Sequence, residues 1–156
     1  MTRVPSGPGR DAYLPLLLLA DDSETAVRAY YQHGDLYALH GEAGAPLAMT
    51  LVLPEGDGGV DVELKAVAVD PARHGQGVGR RMLALVLAEL RAAGVRRVTV
   101  GTGNSGIGQL AFYQKAGFRL RGIERDFFSP ARGYPAGLRE NGIPLRDMVW
   151  MDLELA

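Results

Sequence analysis

The apolar positions of this chain come in short runs separated by turn residues, and the period of each run predicts its conformation. Leu14 to Ala20 is an almost unbroken apolar stretch and predicts a short helix. Asp22 stands where it can cap a second helix running to about Gln32, which Gly34 stops. Leu36–His40 and Leu47–Leu53 predict strands joined by the turn Gly41-Glu42-Ala43-Gly44. After a second turn, Glu55–Gly59, Val60–Val69 completes a three-stranded antiparallel meander. Met82, Leu83, Val86, Leu87 and Leu90 recur at helical spacing, so Gly77–Ala93 predicts a helix closed by Gly94. Val95–Val100 follows as a strand. A strand–helix–strand crossover makes it parallel to Val60–Val69. Ile107–Ala116 predicts a helix ended by Gly117, and Phe118–Phe128 and Leu145–Leu155 predict the last two strands. Between them Ser129–Pro144 is a long loop, broken by Pro130, Gly133, Pro135, Gly137 and Gly142; a loop of that length is usually functional or ordered by its own packing. Residues 1–10, rich in Pro, Gly and Arg, read as a flexible arm, and 11–156 as one domain.

Composition narrows the function. A chain of 156 residues with 47% hydrophobic and 22% charged content is long enough for one substantial core. The formal net charge of −1 gives no support for non-specific binding to nucleic acid or to a membrane surface. With no cysteine, disulfides, thiolate–metal sites and a cysteine nucleophile are excluded. His33, His40 and His74 lack metal-ligand spacing, so no metal is expected. Arg3 and Arg10 ahead of the leucine run faintly resemble a signal peptide. Pro15 interrupts that run, no small-residue cleavage site follows, and Asp21-Asp22 come next, so a cytoplasmic protein is expected.

The candidate chemistry lies between Glu63 and Arg81. The apolar strand ends at Asp70-Pro71, and Gly75, Gly77 and Gly79 then alternate before Arg80-Arg81 and the helix. Glycines let backbone N–H groups approach a ligand, and a helix N-terminus favours negative charge, so the turn reads as an anion site, most often one for phosphate. The alternative is a plain connecting turn. A dinucleotide fingerprint fails because its third glycine falls on Arg80, and a P-loop fails because no Lys-Ser/Thr follows Gly79.

His74-Gly75-Gln76-Gly77-Val78-Gly79 resembles the R/Q-x-x-G-x-G/A signature of the GNAT superfamily of acetyl-CoA-dependent N-acetyltransferases. The lead-in LKAVAVDP and the later LAFYQKAGFR are similar to that family in order and separation, and VGTGNSGIGQLAFYQKAGFR with ENGIPLRDM resembles a bacterial subgroup of it. The resemblance spans about Leu47 to Ala156. It implies an α/β fold of the GNAT type: a mixed, mostly antiparallel sheet flanked by helices on both faces.

The same resemblance implies roles for residues. The cofactor's pyrophosphate would lie on Gln76, Gly77, Val78, Gly79 and Arg80, after His74 and Gly75. Its pantetheine arm would run along Val67, Ala68 and Val69 in a gap between the parallel strands, with the Val67 N–H polarising the acetyl carbonyl. Glu63 stands where several family members carry a general base; the alternative is a solvated charge paired with Lys65, and Glu124 and Asp126 are in reserve. Tyr113, just before Gln114-Lys115, stands where the family has a general acid; the alternative is a packed core tyrosine. Asn104 lies two places from the family's pantetheine-contacting asparagine, or serves with Ser105 as a helix cap. His74 departs from the usual Arg or Gln, so Arg73, Arg80 or Arg81 would supply charge to the phosphates.

The expected activity is therefore transfer of an acetyl group from acetyl-CoA to a primary amine by direct attack in a ternary complex. The acceptor would be a small-molecule amine or a peptide amine, bounded by the N-terminal helices, Glu124–Phe128 and the Ser129–Pro144 loop. The acids Glu124, Asp126, Glu140 and Asp147 suggest a cationic amine, with Tyr134, Phe127 and Phe128 packing any apolar part. Acetylation of a protein N-terminus or lysine, a non-catalytic acyl-CoA-binding module and, third, a nucleotide-binding protein are the alternatives. A homodimer is left open.

Overall fold

The computed structural model describes residues 1–155. Seven of its strands form one sheet: β1 (Thr2–Val4), β2 (Asp35–His40), β3 (Pro46–Glu55), β4 (Asp61–Val69), β5 (Arg97–Gly103), β6 (Arg119–Glu124) and β9 (Met148–Glu154). The other two, β7 (Arg139–Glu140) and β8 (Ile143–Pro144), make a separate hairpin. The order across the sheet is β1-β2-β3-β4-β5-β9-β6. Of the neighbouring pairs, β4–β5 alone is parallel. Helices α1 (Leu14–Ala20) and α2 (Glu24–Tyr30) cover one face; α3 (Val78–Ala92) and α4 (Ile107–Lys115) cover the other. Two core layers result. Met82, Leu83 and Val86 of α3 pack on Val62, Leu64, Val98 and Met151, while Leu17 and Val27 pack on Met49, Leu51, Ala66 and Ala68.

The two layers expose a feature of β4 that alternation misses. Leu64 and Ala66 lie two apart yet face opposite layers. The register explains it: Leu51 pairs with Ala66 but the next residue, Val52, pairs with Leu64, so Lys65 is an extra residue in a β-bulge. Beyond it Val67 and Val69 turn to the α3 side. A regular strand would have kept Glu63, Lys65, Val67 and Val69 on one face.

Several boundaries differ from the sequence expectations. Thr2–Val4, read as part of a loose arm, pairs in register with Ala38, Tyr37 and Leu36. Arg10 holds this end down. It is 2% exposed, and its guanidinium donates to the carbonyls of Val4, Tyr31, His33 and Gly34. The five forked donors of a guanidinium suit a ring of carbonyl acceptors. Ser23, not Asp22, caps α2: its Oγ accepts from the Ala26 N–H at 3.1 Å. Strand β6 stops at Glu124, shortly before Asp126 adopts a left-handed φ of 58°, and β9 begins only at Met148. The intervening loop contains a turn of 3₁₀ helix at Pro130–Arg132 and the β7–β8 hairpin.

Candidate active site

The parallel strands β4 and β5 are paired only from Asp61–Leu64 to Arg97–Val100. Past that point β4 stays with β3 as far as Val69 opposite Ala48, and β5 stays with β9 as far as Gly103 opposite Met148. Each strand has a partner on its outer side, so the inner edges part and leave backbone groups facing a gap. The bulge at Lys65 sits where they separate. A cleft of about 480 Å³ fills the gap, lined by β4 from Glu63 to Val69 and by Val100 to Gly103. A strand-like polar ligand can bond such exposed edges.

At one end of the cleft lie Pro71 and His74. Asp70 Oδ1 accepts from the Ala72 N–H at 3.0 Å and starts the turn. His74 Nε2 lies 3.1 Å from the Val69 carbonyl, so this nitrogen carries the proton and donates. The histidine thus fastens the turn to β4 instead of extending toward a phosphate, and it takes up a carbonyl at the cleft edge. Gly75 and Gly77 have φ of 75° and 76°, which an L side chain enters only with strain. Gly77 is the N-cap of α3, where no side chain caps the first-turn N–H groups. A side-chain carbon added to either glycine would meet nothing within 4 Å. Bare amides facing open space at the start of a fifteen-residue helix suit a pyrophosphate. Gly79 acts through packing, since a Cβ there would lie 3.2 Å from Val69 Cγ2; its absence lets α3 sit close against β4. Arg73, Arg80 and Arg81 are all exposed, and no ion pair involves them among the described residues. Gly75 to Arg80 do not line the cleft proper.

Glu63 and Tyr113 both line the cleft. Burial raises the Glu63 pKa above the ordinary carboxylate range; Lys65 opposes this from 3.8 Å and Glu55 adds to it. The Lys65 ammonium in turn lies 5.1 Å above the Tyr30 ring. Tyr113 is 6% exposed, wedged edge-on between Phe112 and Phe118 at 5.1 and 5.5 Å. Burial lifts its phenol well above the usual range. Its hydroxyl has no hydrogen-bond partner among the described residues.

Asn104 is directed elsewhere. Its Nδ2 donates to the Pro144 carbonyl at 3.0 Å, and its Oδ1 accepts from the N–H groups of Arg146 and Asp147 at 2.9 and 3.0 Å. With both ends of its amide engaged, it clamps the loop ahead of β9 and does not line the cleft. It is not a helix cap either, since Gly106 occupies that position. Ser105 beside it is fully buried with an unpaired hydroxyl.

The opposite wall is made by the α1–α2 turn and the long loop. Phe127, Phe128 and Tyr134 line it, with Tyr134 packed edge-on to Phe128 at 4.9 Å. Of the four acids expected near an acceptor, Glu140 alone lines the cleft. Glu124 is paired with Arg132 and accepts from the Trp150 indole, and Asp147 accepts from the Asp126 N–H. The structure brings in Asp21 and Asp22 instead. Asp21 accepts from the Tyr30 hydroxyl at 3.0 Å, and burial together with Asp21 and Asp22 raises the Tyr134 pKa. Burial, with Asp21 close by, also raises that of Asp22. The two aspartates end an apolar helix, a sign of a helix boundary that carries no sign of a pocket.

The profile of the Acetyltransferase (GNAT) family matches residues 10–118. The chain is 38% identical over 149 residues to the uncharacterized N-acetyltransferase YvbK of Bacillus subtilis, covering 93% of this chain and 90% of that one. Among solved structures, a GNAT family acetyltransferase from Elizabethkingia anophelis with acetyl-CoA bound is 33% identical, with a TM-score of 0.86 over 98% of this chain and 97% of that one. A Bacillus subtilis acetyltransferase in complex with CoA is also 33% identical, with a TM-score of 0.85 over 99% and 98%.

Proposed function

The chain belongs to the GNAT acetyltransferase family, whose co-substrate is acetyl-CoA, and we propose that it acetylates a primary amine by direct attack within a ternary complex. The observation that carries this reading is the parting of β4 and β5 beside the glycine turn, with Glu63 and Tyr113 on the walls of the same cleft.

Acetyl-CoA supplies the activated acyl group as a thioester. The chain's own groups hold it and manage protons. The amides at Gly77, Val78 and Gly79 bind its anionic end, and the free edge of β4 at Val67 and Val69 aligns the amide-bearing arm. Arg73, Arg80 and Arg81 add positive charge at the rim. Glu63 Oε takes the proton from the ammonium form of the acceptor; its raised pKa makes it a stronger base than an exposed glutamate. Tyr113 Oη stays protonated at any working pH, because its pKa is pushed up. Full proton transfer to a thiolate, a group of pKa near 8.5, is then uphill. Tyr113 acts as a hydrogen-bond donor to the departing sulfur, with solvent completing the protonation. Without cysteine the chain has no thiol to carry an acetyl group, which favours direct attack.

Asp21, Asp22 and Glu140 with the Phe127–Phe128–Tyr134 wall fit an acceptor that is cationic and part apolar. The test is thiol release from acetyl-CoA across a panel of small amines and peptides, alongside thermal stabilisation by CoA. Stabilisation by CoA that is lost in Gly77→Val is expected. Equal stabilisation by NAD or ATP, with none by CoA, refutes the reading.

A further inference from the structure

Lys65 and Lys115 are the chain's two lysines, so they carry all of its side-chain amines. Their settings differ. Lys115 ends α4 and is exposed. Lys65 is half-buried and lines the cleft.

The backbone puts it there. Lys65 is the extra residue of the β4 bulge, so no β3 residue faces it. The pairing of β4 with β5 has ended one residue earlier, at Leu64 opposite Val100. Lys65 is therefore the first β4 residue on the parted edge, and a bulge re-aims the side chain that it inserts. Two groups then hold the ammonium. Glu63 Oε1 lies 3.8 Å from Lys65 Nζ, and the centre of the Tyr30 ring lies 5.1 Å from it. Tyr30 is 8% exposed and its hydroxyl donates to Asp21, so the ring is fixed. A cation over a ring face is attracted to it. This lysine stays in the cleft, where a surface lysine would extend its head into solvent.

That position is the one an acceptor has to take. A general base works within hydrogen-bond reach or through one water. Any amine that Glu63 deprotonates must bring its nitrogen close to the carboxylate, beside which Lys65 Nζ already stands. On the reading given above, the arm of acetyl-CoA runs along β4 from Val69 to Val67, so its thioester end points toward Lys65. Holding a nucleophile beside its electrophile replaces a bimolecular encounter with an intramolecular one.

We infer that Lys65 is a self-acetylation site: with acetyl-CoA bound and no acceptor present, the chain transfers the acetyl group to its own lysine. The inference rests on that reading of the cleft. Glu63 takes a proton from the ammonium, and neutral Nζ forms a bond to the carbonyl carbon. The carbon–sulfur bond breaks and its electron pair leaves on sulfur. Of the two protons that nitrogen loses, one ends on the thiol and the other in solvent. The product is an uncharged amide, which no longer pairs with Glu63 or rests over Tyr30 as a cation. Its acetyl group fills the place of an acceptor amine, so the reaction stops after one turnover and leaves the site blocked.

The test is to incubate the folded chain with acetyl-CoA and no added amine, following thiol release, intact mass and the modified peptide. One acetyl group on Lys65 and one thiol per chain are expected, after which release stops. Attack within one chain makes the rate constant independent of dilution. Lys65→Arg keeps the charge, removes the nucleophile and should abolish the modification, with folding checked by circular dichroism. Glu63→Gln should slow it about tenfold or more at neutral pH. Lys115→Arg should leave it unchanged. In urea the two lysines should react equally and slowly, which sets the uncatalysed rate. A chain that CoA stabilises but that modifies Lys65 no faster than Lys115 overturns the inference and leaves the acetyltransferase reading standing. A rate constant that falls on dilution overturns it as well. Absence of any stabilisation by CoA overturns both.

Discussion

Replacing Tyr113 with Phe separates a catalytic tyrosine from a packing one, because it removes a single oxygen and leaves the ring in place. The ring makes the edge-on contacts to Phe112 and Phe118, and those should survive. The hydroxyl donates to no group among the described residues, so no partner there is orphaned by its loss. Stability should then change by no more than about 1 kcal/mol. For a domain of this size that is a shift of at most about 2–4 °C in Tm, in either direction. Activity should respond differently. General-acid help is worth about 10²–10⁴-fold. Since burial holds the Tyr113 phenol above its usual range and full proton transfer is uphill, the low end applies. A loss of about 10²-fold in kcat corresponds to about 2.7 kcal/mol of transition-state stabilisation. The assay is turnover at saturating acetyl-CoA with an identified amine, under conditions where chemistry limits the rate, beside a thermal melt of each protein. Turnover within about twofold of wild type would make Tyr113 a packing residue. A fall in Tm beyond about 6 °C would show that the hydroxyl has a structural partner and refute the reasoning by another route.

Glu63→Gln should slow acetyl transfer at neutral pH, with a smaller loss at high pH where the amine is already neutral; an unchanged pH–rate profile would reassign the base. The same variant carries a stability signature. The folded-state pKa of Glu63 lies above its unfolded value, so its contribution to stability is present below the unfolded pKa and is lost as pH rises through the folded one. Glu63→Gln should therefore melt higher than wild type at pH 7, and the difference should shrink on going to pH 4. Arg10→Ala leaves four carbonyls without their donor and should cost about 3–4 kcal/mol, read as a drop of about 10 °C in Tm.

Local pattern determined much of this protein. Apolar spacing located α3 to within a residue at each end, because its buried positions Met82, Leu83, Val86, Leu87 and Leu90 form one unbroken stripe. The crossover from β4 through α3 to β5 had to be parallel for reasons of chain geometry alone. The glycines at 75 and 77 were legible because their left-handed backbone excludes nearly every other residue. Spacing cannot reveal where two strands stop pairing. That depends on the outer partners β3 and β9, which come from distant parts of the chain and pull β4 and β5 apart. Nor does alternation disclose an extra residue: the bulges at Lys65 and Arg121 appear only when a neighbouring strand fixes the register. Side chains whose partners lie far away were misplaced for the same reason. Arg10 reads as part of a polar arm until the carbonyls of residues 31, 33 and 34 surround it. Asn104 reads as a ligand contact or a cap until residues 144–147 fold across it, and Asp21 and Asp22 read as a helix end until Phe127 and Tyr134 close the cleft beside them. Sequence determines what an element can bury and where it must turn; tertiary structure decides which backbone edges stay free and which polar groups are left to meet a substrate.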